Sequence, residues 1–157
     1  MTRLRGRAPR GERVHAKAPH GHWQTTTMIC AMWRDGSTAC MTLSGATDTE
    51  AFRTYVRCVL EPKLRPGDVL IMDNLWPHKS QPTLKLIQDA GATVLFLPPY
   101  SPDLNPIEKM WSKVKEQLRS EEARTEQQLL EAIGLALGRI TAQDAINWFV
   151  SSGYSFI

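Results

Sequence analysis

Apolar positions along the 157-residue chain fall into short blocks whose period changes from two to about 3.6, which separates strands from helices. Thr25 to Trp33 and Thr38 to Leu43 are strand-like, and Arg34-Asp35-Gly36-Ser37 between them carries the Asp-Gly turn signal of a hairpin. The first strand is apolar on both faces, with Ile29, Ala31 and Trp33 on one and Met28, Cys30 and Met32 on the other. That pattern suits a strand covered on both sides. Thr47-x-x-Glu50 then reads as a capping box, followed by Phe52, Tyr55, Val56, Val59 and Leu60 at helical spacing. Pro62 and Pro66-Gly67 end that helix.

Val69-Leu70-Ile71-Met72 is a continuous apolar run that stops at Asp73, the mark of a buried parallel strand. A helix is expected from about Gln81 to Ala90, with Ser80 as N-cap and Gly91 just past its end. Thr93 to Leu97 reads as a second buried strand, closed by Pro98-Pro99. A helix from Pro106 to Arg119 follows, striped by Ile107, Met110, Trp111, Val114 and Leu118. Thr125-x-x-Gln128 opens another to about Ile140, and Thr141-x-x-Asp144 opens a last short one carrying Ile146 and Phe149. Strands alternating with helices predict an α/β layered fold with parallel pairing late in the chain.

Composition adds three constraints. The apolar fraction and length fit one globular domain. No apolar run approaches the ~18 residues of a membrane span, and the arginine-rich start has no apolar stretch behind it to make a signal peptide. Cys30, Cys40 and Cys58 form no CxxC pair and are expected as reduced, buried thiols of a cytoplasmic protein.

The net charge of +3 is unevenly placed. Residues 1–17 carry Arg3, Arg5, Arg7, Arg10, Arg13 and Lys17 against Glu12 alone, whereas the rest carries 13 bases and 15 acids. A basic, Gly- and Pro-containing segment over residues 1–22 reads as an arm or loop ahead of the globular part, residues 23–157. Contact with a polyanion and a merely solubilising tail account for the charge equally well. His15, His20 and His22 lack a fourth ligand at finger-like spacing, which argues against zinc.

Two carboxylates stand out by position. Asp73 ends one buried strand and Glu108 follows the next, so adjacent parallel strands would bring both to the same sheet edge, where α/β ligand sites lie. Phosphodiester chemistry uses such pairs, because a few hard oxygen ligands plus substrate phosphate suffice for magnesium. Structural readings compete with this. Asp73 could make an Asx turn. Asn105, Pro106 and Glu108 form a capping-box pattern with proline at N1, and spacing alone favours that role for Glu108. His78 reads as a helix-start residue or an active-site donor, with the first favoured.

The segments Asp73-Asn74…His78 and Pro98-Pro99-Tyr100-Ser101-Pro102-Asp103-Leu104-Asn105-Pro106-Ile107-Glu108 resemble the second and third acidic motifs of DDE transposases of the mariner-like and bacterial insertion-sequence superfamily. The 34 residues between Asp73 and Glu108 match that superfamily's spacing. Arg5-Gly6-Arg7-Ala8-Pro9-Arg10-Gly11 and Gly21-His22-Trp23 resemble the stretch after its first acidic motif. The resemblance implies an RNase H-like three-layer fold, a mixed sheet with flanking helices, and Mg2+ or Mn2+ held by Asp73 and Glu108. It implies DNA as partner, at transposon ends and target, with cleavage followed by strand transfer, and is compatible with a homodimer, a bacterial nucleoid setting and no membrane. His78 joins the arm's bases as a DNA-contacting residue.

The family's first aspartate lies on a strand upstream of the arginine-rich segment, central in the sheet. The chain is therefore expected to be an incomplete catalytic domain without that strand, its two inner edges unpaired. Asp35, in a hairpin turn, cannot substitute. Two alternatives remain open: a non-catalytic DNA-binding transposase remnant, and a different RNase H-like DNA nuclease.

Overall fold

The computed structural model describes residues 6–15 and 25–155. Arg3, Arg5, Lys17, His20 and His22 lie outside the described residues. The architecture is mixed α/β, with five α-helices and four strands in two separate sheets among the described residues.

Strands β1 (Thr26–Met32) and β2 (Thr38–Ser44) form an antiparallel hairpin. Gly36 donates to the Trp33 carbonyl and Trp33 donates to that of Ser37, so the loop is a turn closed by a left-handed glycine (φ +84°). This register sets Cys30 opposite Cys40, and the two form a disulfide. Cys58 is exposed. The expectation of three reduced, buried thiols is therefore corrected: the turn fixes the pairing of two, and the third faces outward.

The first helix, α1 (Thr49–Tyr55), starts one residue later than expected. Asp48 is its N-cap and accepts from the Ala51 amide at 2.8 Å. Thr47 makes no capping box; its hydroxyl is buried without a partner, and Glu50 pairs with Arg53 instead. The helix continues as a π turn over Val56–Leu60 and a 3-10 turn over Glu61–Lys63.

Strands β3 (Val69–Met72) and β4 (Thr93–Phe96) pair in parallel, joined through α2 (Gln81–Asp89). They were expected to be fully buried. Leu70, Val94 and Phe96 do pack into a core with Phe52, Tyr55 and Ile87, but Val69 and Leu95 are 61% and 49% exposed. One face of this two-stranded sheet is thus poorly covered.

Helices α3 (Pro106–Glu121), α4 (Glu126–Gly138) and α5 (Ala142–Ser151) build a second core around Met110, Val114, Ile133 and Ala136. The capping boxes expected at Thr125–Gln128 and Thr141–Asp144 are both formed. β1 joins the two cores, as its two-faced pattern requires. Ile29, Ala31 and Trp33 pack on the first, and Met28, Cys30 and Met32 on the second.

Among the described residues each sheet is two strands wide, so β1 and β3 each keep one edge without a described strand partner. Between them lies a slot of about 520 Å3. Consecutive residues of both strands line it, Met28 to Met32 from β1 and Val69 to Met72 from β3, so both strands meet the slot edge-on. Phe52, Tyr55 and Leu60 close one side, and Ile107 and Trp111 of α3 the other.

Candidate active site

The β3 strand delivers Asp73 at its carboxyl end, and the chain turns at once. The Asp73 carboxylate accepts from the Leu75 amide at 3.3 Å, the Asx-type contact that a polar strand end offers. Its Oδ1 also lies 2.7 Å from Nδ1 of His78, in the 3-10 turn Trp76–Lys79. The imidazole packs on the Phe52 ring at a centroid distance of 4.3 Å, so α1 fixes the imidazole and the imidazole fixes the carboxylate. His78 thus sits within a short 3-10 turn and, from there, against the Asp73 carboxylate.

The second loop leaves β4 next door. Asn74 donates from Nδ2 to the Leu97 carbonyl at 2.7 Å, tying the Asp73 loop to the end of β4. The chain then runs through Pro98, Pro99 and a left-handed Tyr100 (φ 58°) into the 3-10 turn Pro102–Leu104. The Tyr154 hydroxyl donates to the Leu104 carbonyl at 2.9 Å, and Lys109 Nζ donates to Ser152 Oγ at 2.8 Å. The end of α5 therefore holds the start of α3 in place.

Asn105 is the N-cap of α3 and Pro106 its first residue, as the sequence indicated, but the capping box is not made. Asn105 makes no side-chain cap bond, and the Glu108 side chain has no hydrogen bond to any described residue. Glu108 is exposed, whereas the Asp73 side chain is 45% exposed and already in contact with His78. A carboxylate in the first helical turn is favoured by the helix dipole, and this one stays open to a ligand.

Asp73 and Glu108 both line the slot between β1 and β3. Both also line a second cavity of about 500 Å3 between the two loops, whose walls include Leu75, Lys79, Pro99 and Tyr100. The two carboxylates thus stand where two cavities adjoin. Among the described residues no three His, Cys, Asp or Glu side chains converge as a set able to hold a metal ion. Asp35 sits in the hairpin turn, its carboxyl held below the usual range by the hydroxyl and amide of Ser37, and lines neither cavity. Arg7, Arg10 and Arg13 are exposed on the arm. The exposed rings of Trp76 and Tyr100 beside the two acids, and the clamp from Phe52, were not anticipated; the aromatics' place inside the acidic motif segments was the available signal.

A family model described as DDE superfamily endonuclease matches residues 1–130, a span holding both Asp73 and Glu108. The chain belongs to the DDE superfamily endonucleases. A stretch of 42 residues is also 52% identical to the human histone-lysine N-methyltransferase SETMAR, covering 27% of this chain and 6% of that protein. The activity in that name describes a protein of which this chain spans only a small part. Among the described residues of this DDE family member no helix is long and apolar enough to cross a membrane.

Proposed function

We propose that this DDE endonuclease domain is the catalytic surface of a DNA transposase, with Asp73 and Glu108 as acidic ligands of Mg2+ or Mn2+. The observation that carries this reading is the placement of both carboxylates on the lining of two adjoining cavities, with no hydrogen bond from the Glu108 side chain to any described residue. The donors are hard oxygens on a strand end and a helix start, which fits such an ion. When bound, the metal supplies charge stabilisation for phosphoryl oxygens. In the first step a water oxygen attacks the scissile phosphorus, the P–O3′ bond breaks, and the water's proton leaves as the 3′-oxygen gains one. In the second, that 3′-hydroxyl forms a new P–O3′ bond in target DNA and displaces the target's own 3′-oxygen. Asp73 is oriented for this by His78, and the arm, residues 1–22, holds the phosphate backbone through Arg3, Arg5, Arg7, Arg10, Arg13 and Lys17.

Two carboxylates position one ion loosely, and the third is proposed to arrive on a strand in the slot between β1 and β3. Two strand edges that lack a partner among the described residues and line one apolar slot support this, since unpaired backbone groups favour an added strand. The orphaned Thr47 hydroxyl in the slot wall supports it too. Helices on both sides mean that such a strand is apolar on both faces, and its insertion would give the single mixed sheet of an RNase H-like fold. The test is a nicking assay on transposon-end DNA with manganese. The 157-residue chain is expected to be inactive, and a version extended by an apolar strand ending in aspartate to be active. Robust cleavage by the unextended chain would overturn the third-ligand account.

A second reading, a DNA-binding domain without catalysis, is favoured by the lack of a three-ligand set among the described residues. It predicts DNA binding but no cleavage by the extended chain.

A further inference from the structure

The cavity between the two acidic loops has features that metal binding by Asp73 and Glu108 does not use. Tyr100 is completely exposed, and it holds a left-handed backbone (φ 58°) that residues with a Cβ avoid. Its hydroxyl has no hydrogen-bond partner among the described residues. Trp76, on the neighbouring loop, is 82% exposed. Large rings contribute most when buried, so both rings carry a cost in the free protein without a visible return.

The rest of the cavity narrows the ligand. Leu75, Leu97, Pro98, Pro99 and Pro102 give it flat apolar walls. Lys79 supplies a cation on the same lining, and Asp73 and Glu108 stand at the rim shared with the slot. A ligand that fits has a flat, largely apolar body joined to an anionic group. Nucleobases in a duplex are stacked inside it and present only their edges to such a wall. A base that has left the stack presents a face, to which an aromatic side chain adds regardless of sequence.

We propose that this cavity binds one unpaired nucleotide next to the scissile phosphate, with its base stacked on Tyr100 and its phosphate facing Lys79. The inference rests on the DNA-cleavage reading and adds to it a preference for DNA that is frayed or unpaired at the cut.

The test is metal-free binding, read by fluorescence anisotropy, of two labelled duplexes that differ only in two unpaired nucleotides at one end. The full chain is expected to bind the unpaired form about tenfold more tightly, in the range that aromatic–base stacking gives. Tyr100→Gly, which suits the left-handed backbone and removes the ring, is expected to abolish that preference and leave affinity for the paired duplex unchanged. Tyr100→Phe should retain it, and Trp76→Ala should reduce it in part. Equal affinity for the two duplexes, or an undiminished preference in Tyr100→Gly, would overturn the proposal. Absence of binding to either duplex would instead sink the DNA reading on which it rests. Saturation of the cavity by a proline-rich peptide that leaves the DNA preference intact would also overturn it, by assigning the aromatics to a peptide.

Discussion

His78 Nδ1 stands 2.7 Å from Oδ1 of Asp73, with the imidazole packed at a 40° tilt against the Phe52 ring. The carboxylate is thereby held through Oδ1, and Asp73 lines both cavities. A ligating carboxylate is only as well placed as the groups that orient it, and loss of such partners commonly lowers metal affinity or activity by about 10- to 100-fold.

Replacing His78 with alanine is therefore expected to weaken manganese binding and cleavage in the extended chain by roughly that factor. Phe52→Leu, which keeps an apolar contact but removes the ring under the imidazole, should cost less. Titration calorimetry with Mn2+ separates the two effects from an unfolding artefact. Unchanged affinity in His78→Ala would show that the contact does not orient the acid.

Asp73→Ala and Glu108→Ala should each lower cleavage by several orders of magnitude, since a missing metal ligand raises the barrier by several kcal/mol. Glu108 is exposed and its side chain has no hydrogen bond among the described residues, so its substitution should leave stability within about 0.5 kcal/mol. Cleavage that survives either change in the extended chain would remove that residue from the catalytic assignment.

Deletion of residues 1–17 should weaken DNA binding without regard to sequence and flatten its dependence on salt. Arg7, Arg10 and Arg13 are exposed and free to meet phosphates. Each neutralised phosphate contributes roughly 0.9 to the slope of log affinity against log salt, so the triple alanine variant should lose somewhat under three. An identical slope before and after deletion would leave the arm with only a solubilising role.

Local signals were legible in the sequence and long-range ones were not. The boxes at Thr125 and Thr141 form because each needs only partners three residues away. At the first helix Thr47 and Asp48 are adjacent cap-type residues, and Asp48 takes the Ala51 amide. Asn105 was placed correctly as the helix start, yet its buried side chain lines both cavities and does not cap. The disulfide was within reach. Once Trp33 faces Ser37 across the turn, Cys30 must face Cys40 three residues farther along. The slot, the Asn74 tie to Leu97 and the Tyr55 hydroxyl bonded to the Ala39 carbonyl all join distant segments. Periodicity carries no information on such contacts.

Gly36 makes the hairpin tip sensitive to a single methyl group. It has φ +84°, and a Cβ there would sit 2.7 Å from the Thr141 backbone at the start of α5. Gly36→Ala therefore combines left-handed strain with a backbone collision, and should destabilise the fold by about 2–3 kcal/mol. Gly45 also has positive φ (+90°), but nothing lies within 4 Å of its Cβ position. Gly45→Ala should cost only about 1 kcal/mol, the conformational part. Equal losses in urea denaturation would show that the tip does not pack on α5.

Lys113 joins three helices, and it predicts how stability responds to acid. From α3 its ammonium donates to Asp144 Oδ2 on α5 at 2.6 Å and to the Arg139 carbonyl at the end of α4 at 3.2 Å. The Lys113 hydrogen bond, followed by those from the Thr141 amide and hydroxyl, lowers the Asp144 pKa from 3.8 to about 2. The folded value lies below the unfolded one, so the unfolded chain takes up a proton first as pH falls. The stabilisation is complete above the unfolded value, near pH 4, and is lost as pH drops toward about 2. Both side chains are partly open to solvent, so the pair should contribute no more than about 1 kcal/mol at neutral pH. Lys113→Met keeps an aliphatic stem and removes the charge. Its urea midpoint should fall below that of the parent at neutral pH, and the gap should narrow as pH drops through this window. A gap that stays constant down to the bottom of the window would assign the loss to packing rather than to the ionised pair.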